Sequence, residues 1–348
     1  MENYTSDSSD SDTCAKTLDL SYLMLDPDVL EEQFLSVKSP EHVDTLLLHQ
    51  NRLSSVPTSI GRFTNLNNLD ISNCSLSRLP DFLGDCPLVC LVAKNNNLTN
   101  DSLPKSFENL SELRELNLSG NRLTDFPEQI FDLAGLKYLY LGGNNISEIK
   151  KDVWKLQRLQ VLSMGSNRLI EVPSTLGQLK SLQALVLCDN MLESLPGSIA
   201  NLSNLKSLLL HKNRLKTLPT EIITLKCLTE LSLRDNPLVV RFVSDMTHNP
   251  PSLLELAARV IKTNDIRYTE ESIPRNLVEY LNSGHHCVNP KCKGVFFDNR
   301  VEHVKFVDFC GKYRLPLLQY LCSSKCISSR DGSEEVVSGA MIRKVLLG

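Results

Sequence analysis

Leucines recur along this chain in a fixed frame. The stretch LLLHQNRLSSVP at Leu46 returns as LNLSGNRLTDFP at Leu116 and as LLLHKNRLKTLP at Leu208. The shared frame is LxLxxNxLxxLP. Its Asn position is filled by Asn51, Cys74, Asn96, Asn121, Asn144, Asn167, Asn190, Asn213 and Asn236. Successive steps are 23, 22 and 25 residues, then 23 five times, which is the mark of a repeat architecture. Within each LxL, strand alternation turns the two leucines inward and the residue between them outward. The Asn amide, both donor and acceptor, can satisfy buried backbone groups where the chain leaves the strand. Cys74 fills the same slot sterically but hydrogen-bonds more weakly. One coil cannot bury its apolar face alone, so neighbours must stack into a continuous core.

These motifs resemble the leucine-rich repeat family, of the 23-residue kind, over roughly residues 40–240. The resemblance implies an α/β solenoid: a horseshoe of about nine repeats over 41–245, with parallel strands on the concave face. Short helices or extended segments such as PSTLGQLKSL cover the convex side. A concave strand face of this kind is an extended binding surface. Its candidate substrate-binding positions are Lys94, Tyr138, Tyr140, Val186, Leu209, His211, Lys212, Glu230 and Arg234, with Gly142, Gly143 and Gly165 leaving the middle open. The alternative is a solvated face without a partner. Residues 16–40 have the apolar content of a terminal cap, and 1–15 read as an acidic, Ser-rich disordered tail.

The 23-residue beat ends at HNPPSLLELAARVI. Pro250 and Pro251 stop what precedes them. Ser252 stands at an N-cap position with Glu255 three residues on, the capping-box arrangement. Leu253, Leu256, Ala257, Val260 and Ile261 then form one apolar stripe of a short helix. A helix here can close the open end of the solenoid core. Alternatively, SLLELAARVI resembles the BC-box that binds elongin C, through Ser252, Leu253, Ala257 and Ile261, with Ala257 where Cys is more usual. Twelve residues on, IPRNLVEYL resembles the cullin box, through Ile273, Pro274, Leu277, Tyr280 and Leu281. Together, over 250–283, they imply a non-catalytic substrate receptor of a cullin–RING ubiquitin ligase. It would bind elongin C with elongin B, and a cullin with its RING protein, to promote ubiquitination and degradation of a protein substrate. IPRN lacks the second Pro of the clearest cullin-5 pattern, so the cullin type stays open.

Of eleven cysteines, five fall late: Cys287, Cys292, Cys310, Cys322 and Cys326. The pairs Cys287/Cys292 and Cys322/Cys326 lie on separate turns about thirty residues apart, a spacing that suits one structural Zn²⁺. Four reduced, metal-free thiols are the alternative. Pro290 and Gly294 supply turn chemistry, while GVFFD and VKFVDFC read as two short strands of a module over 284–328. His285, His286, His303 and Cys310 are rival ligands, Cys310 reading better as a core thiol. Residues 329–348 read as a C-terminal tail.

Composition adds exclusions. The 348 residues are 41% hydrophobic and 22% charged, an ordinary globular balance. A net charge of −4 gives no footprint for nucleic acid. No run is long and apolar enough to span a membrane. The polar N-terminus is not a signal peptide, so a reducing compartment, cytoplasm or nucleus, is expected, with thiols or metal ligands rather than disulfides. A phosphate-cradling Gly loop, a GxSxG elbow and an HExxH helix are all missing, and the tail lacks the eight ligands of a RING. The rival to the receptor reading is an interaction scaffold whose C-terminal helices only cap the solenoid.

Overall fold

The computed structural model describes residues 16–81, 83, 86–239, 251–269, 271–289, 292–309, 313–327 and 344–346. The segment 1–15, Pro250, Pro290, Cys310 and residues 329–343 lie outside them. By internal contacts the chain divides into two compact units, 1–169 with 178–190 and 170–177 with 191–348. The last repeats therefore group with the tail.

In the first unit, β1 (Lys16–Asp19), β2 (Val43–Leu47), β3 (Asn68–Asp70), β4 (Cys90–Val92), β5 (Glu115–Asn117), β6 (Tyr138–Tyr140), β7 (Val161–Ser163) and β8 (Ala184–Val186) run parallel, each paired with the next. The middle leucine of each three-residue strand, such as Leu116 and Leu139, is buried. Opposite the strands the chain makes single 3₁₀ turns, Glu128–Asp132 and Lys151–Lys155 among them. Each of these turns spans five residues, a length typical of a short 3₁₀ piece rather than an α-helix. Ahead of the first repeat, α1 (Pro27–Ser36) is capped by Asp26, which accepts from Val29 N at 2.9 Å. It buries Leu30 and Phe34, and Phe34 meets Phe63 edge-on at 5.0 Å.

The frame Asn residues form a ladder. Asn121 donates to Ala93 O and Leu118 O at 3.0 and 2.9 Å and accepts from Leu98 N at 3.0 Å. Its neighbours repeat the pattern from coil to coil. Cys74 has only a thiol, which donates to Leu48 O and Ser72 O at 3.2 and 3.3 Å. The residue before each ladder position is left-handed, from Gln50 (φ 61°) through Gly120 and Gly143 to Lys212 (φ 55°) and Asp235 (φ 55°). That turn re-aims the chain so that the amide points inward. Lys212 thus sits in a turn beside the strand rather than on the strand itself.

In the second unit β9 (Ser207–Leu209) pairs with β11 (Glu230–Ser232), and β16 (Lys344–Leu346) pairs with the other edge of β11. A two-residue strand, β10 (Leu218–Pro219), pairs with β15 (Tyr313–Leu321), itself hairpinned to β14 (Val301–Phe309). Leu315, Leu317 and Leu321 are buried there. The tail is accordingly sewn to the last repeats by backbone hydrogen bonds. The VKFVDFC strand is longer than expected, and its partner YRLPLLQYL is a strand that the two-strand expectation missed. A proline at its centre argues against a strand interior, but Pro316 can be carried where the backbone needs no donor. The remaining elements are α2 (Leu253–Thr263), α3 (Arg275–Asn282), β12 (His285–His286) and β13 (Val295–Phe296). No helix among the described residues is long and apolar enough to cross a membrane.

Asn121→Ala removes four hydrogen bonds, three of them to buried groups, and leaves buried backbone groups without partners. At about 1–3 kcal/mol per unsatisfied group, a loss of roughly 3 kcal/mol is expected in urea unfolding followed by circular dichroism.

Candidate functional site

Helix α2 begins as its sequence requires. Ser252 caps it, accepting from Glu255 N at 3.1 Å. The reciprocal half of a capping box does not form. The Glu255 side chain turns away from Ser252 and is completely buried. One oxygen accepts from Arg259 Nε at 3.1 Å and Phe297 N at 3.2 Å, the other from Asn299 N at 2.9 Å and Asn299 Nδ2 at 3.0 Å. Burial alone would push this carboxyl up, but the guanidinium and the three other donors outweigh it and hold the group below its usual value. Arg259 donates onward to Cys322 O at 2.9 Å and to Asn299 O.

This pair sets the rotation of the helix. Glu255 and Ala258 face inward, and Ala258 joins Leu281, Val295 and Phe297 in a small apolar cluster. The stripe expected to cover the end of the repeat core points outward instead. Leu253 is 86% exposed and Val260 55%, with Leu254, Leu256 and Ala257 also exposed. Ile261 is the exception, packing against the cluster from its edge. The physical reason is that a buried carboxylate must keep its donors, and these all lie on one side. The edge of β11 is meanwhile taken by β16.

The IPRNLVEYL residues are also divided by burial. Pro274 is the exposed N-cap of α3 and Leu277 is half-buried. Ile273 and Tyr280 pack on the cluster, and Leu281 is inside it. Tyr280 stacks on Phe297 with centroids 4.9 Å apart and donates to Asp298 at 2.9 Å. Burial and then Asp298 push its hydroxyl up to about 12. Of the residues expected to face a cullin, Leu281 is therefore buried, while Ile273 and Tyr280 are half-buried against the cluster.

Beneath these helices the sulfurs of Cys287, Cys292, Cys322 and Cys326 all lie within 4.8 Å of one another. Cys292–Cys322 is 3.5 Å and Cys322–Cys326 is 3.7 Å. A Zn–S bond of about 2.3 Å gives a tetrahedral edge of about 3.8 Å, so the four could hold such an ion. Gly294 N donates to Cys292 Sγ at 3.3 Å and lowers that thiol, whereas burial raises Cys322 and Cys326. A Cβ on Gly294 would stand 2.5 Å from Cys322 Sγ, so only glycine fits. Two turns, closed by Cys292 N to Asn289 O and Cys326 N to Ser323 O, present the pairs. The rival ligands His285, His286 and His303 are not in this group, among the described residues.

On the strand faces, Lys94, Tyr138, Tyr140 and Val186 belong to the first unit, and Leu209, His211, Lys212, Glu230 and Arg234 to the second. Tyr138 and Tyr140 flank buried Leu139 and are themselves half-buried, and Tyr138 donates to Gln160 at 3.3 Å. Register places Glu115 and Val161 beside Tyr138, and Asn117 and Ser163 beside Tyr140. Burial, then Glu115, raises the Tyr140 hydroxyl, and the neighbouring Cys90 thiol is pushed up to about 11 by burial first. Cys90, Val92, Glu115 and Asn117 are additional members of this face, legible from the same alternation that marks the tyrosines. Gly142 and Gly165 do more than leave space, since a Cβ on Gly165 would stand 2.8 Å from Cys188 Sγ. In the second unit His211 Nδ1 lies 3.3 Å from Ser232 Oγ.

Known proteins show the same organisation. A Leucine rich repeat family model matches residues 88–146, 111–169, 134–192 and 180–238, and a second Leucine Rich Repeat model matches 65–86. Leucine-rich repeat-containing protein 58 of Xenopus laevis is 59% identical over 341 residues, covering 95% of this chain and 97% of its own length. The Homo sapiens protein of that name is 68% identical over 284 residues, 80% of this chain and 76% of its own. Among solved structures, the Arabidopsis thaliana receptor kinase HAESA, in complex with the peptide hormone IDA and a co-receptor, matches with TM-score 0.51 and 28% identity. The match covers 63% of this chain and 42% of that one. The ectodomain of GASSHO1/SCHENGEN3 from the same plant, in complex with Casparian strip integrity factor 2, matches with TM-score 0.50 and 31% identity over 56% of this chain and 24% of that one. Repeats of this kind are protein–protein interaction modules. With identity this high over most of its length, the chain belongs to the leucine-rich repeat proteins, in the family of leucine-rich repeat-containing protein 58.

Proposed function

We propose that this chain is the substrate-recognition subunit of a cullin–RING ubiquitin ligase, without catalytic residues of its own. The observation that carries the reading is the outward apolar face of α2. A short helix that hides its glutamate and exposes Leu253, Leu254, Leu256 and Val260 inverts the usual arrangement, and exposed apolar patches mark interaction sites. Ser252, Leu253 and Ala257 are the residues offered to elongin C, with elongin B alongside and Ile261 at the margin. Pro274 and Leu277 are those left to help select a cullin. The strand faces around Tyr138 and Tyr140 would take the substrate protein, tyrosine being a frequent interface anchor. The chain then acts by proximity, raising the substrate's concentration beside the partner RING protein's conjugating enzyme. Such a role belongs to the cytoplasm or nucleus. The four cysteines are read as a structural Zn²⁺ site, since four protein ligands leave no open position for chemistry.

The test separates the two surfaces. Leu253→Asp with Ala257→Asp is expected to weaken co-purification with elongins B and C by at least about 2 kcal/mol, roughly thirtyfold, while a circular dichroism melt stays near wild type. Tyr138→Ala with Tyr140→Ala should leave elongin binding intact and reduce substrate capture. Folded wild-type chain that binds no elongin leaves a plain interaction scaffold. For the metal, native mass spectrometry is expected to find one zinc per chain, and Gly294→Ala to lower its affinity by crowding Cys322. A folded, metal-free wild-type chain would remove the site.

A further inference from the structure

We infer that metal loading of the four-cysteine cluster fixes the pose of α2, so that capture of the partner of α2 is metal-dependent, with Glu255 and Arg259 as the positioning residues. The inference rests on reading α2 as the docking helix and the cysteines as a metal site, and adds the coupling between them.

The argument starts from how little else holds α2. An isolated helix of eleven residues is marginal in water. Its buried apolar contribution is the single methyl of Ala258, with Ile261 partly packed, which is small on any area scale. What remains is the contact of Lys262 with Tyr268, 2.8 Å from Nζ to the hydroxyl on a half-buried flank, and the buried ion pair. Among the described residues Glu255 is the only buried carboxylate. Ser252 alone suffices to cap the helix, so this carboxylate is not needed for helix formation.

All its donors outside the helix come from Phe297 and Asn299, and Arg259 reaches the carbonyls of Asn299 and Cys322. Both segments belong to the cysteine cluster's own framework. Cys322 is a member of the cluster. Phe297 and Asn299 follow β13, whose Val295 is joined through Gly294 to the Cys292 sulfur, and they precede β14, whose Val301 packs against Cys287.

Four neutral thiols within 4.8 Å make only weak hydrogen bonds, and four bare thiolates repel. A bound divalent ion converts that set into a rigid tie, because site formation and local folding share one free energy. When the tie loosens, Asn299 N and Cys322 O lose their fixed separation, and the Glu255–Arg259 pair loses its matched donors and acceptors. A buried charge without partners is not tolerated, so α2 must rotate or detach, and the Leu253 face is no longer presented.

The experiment uses the full chain in reducing buffer, loaded with Zn²⁺, then stripped by a chelator and reloaded. Hydrogen exchange of the amides in 253–263 is read without any partner, and affinity for elongins B and C is read separately. Stripping zinc is expected to speed α2 exchange and weaken elongin binding, each by at least about tenfold, and reloading to restore both. Glu255→Ala is expected to keep one zinc per chain yet show the same two losses, and stripping this variant should add little, as for two perturbations of one pathway. If Glu255→Ala unfolds the tail, Glu255→Gln replaces it; being isosteric and still an acceptor, it should show the same losses in milder form. A loaded wild-type chain that binds elongins and keeps binding after zinc has left, with α2 exchange unchanged, overturns the coupling alone. A loaded wild-type chain that binds no elongin overturns the docking reading, and with it metal-dependent capture, whatever α2 exchange does.

Discussion

A carboxylate taken out of water must bring its hydrogen-bond donors with it, and the tail of this molecule is arranged around that constraint at Glu255. Its donors lie on Arg259, Phe297 and Asn299, so the first turn of α2 can face only one way. Once that rotation is set, the rest follows geometrically. Ala258 is small enough to let the helix approach β13, and the larger apolar residues at 253, 254, 256 and 260 are turned to solvent. A hydrophobic stripe left facing water is costly unless something covers it, and that cost is the physical basis for reading α2 as a handle.

The repeats solve a different problem with different chemistry. Short parallel strands leave backbone groups stranded at every turn, and a ladder of asparagines collects them coil by coil. The left-handed residue before each ladder position makes this possible. Glycine takes that conformation at 120 and 143, while Gln50, Ser166 and Lys212 are held in it by the surrounding coil. Because core positions carry this burden, the outward strand positions are free to vary, and there Tyr138, Tyr140, Val161 and Val186 supply apolar and aromatic surface.

The repeat architecture was legible because its period is written nine times, and inward and outward positions follow from alternation alone. The four cysteines were legible as two close pairs, although pairing in sequence says nothing of the 3.5 Å approach of Cys292 to Cys322. The tail helices were legible as helices but not in their rotation. A serine followed three residues later by glutamate looks like a capping box whether the glutamate reaches back or turns inward, and two of its partners, Phe297 and Asn299, lie more than forty residues away. For the same reason Tyr280 and Leu281 read as partner-facing although Phe297 covers one and encloses the other. Strand β15 was hidden by Pro316 and by having one of its two neighbours, Leu218–Pro219, about a hundred residues upstream.

The central claim is that the outward face of α2 meets elongin C while the inward face does not. Photo-crosslinking tests it most directly: a photoreactive side chain is placed at 256, and separately at 262 near the half-buried flank, in the full chain mixed with elongins B and C. The account predicts an elongin C adduct from position 256 and little or none from 262. No adduct from 256, in a chain whose fold is intact, would contradict it.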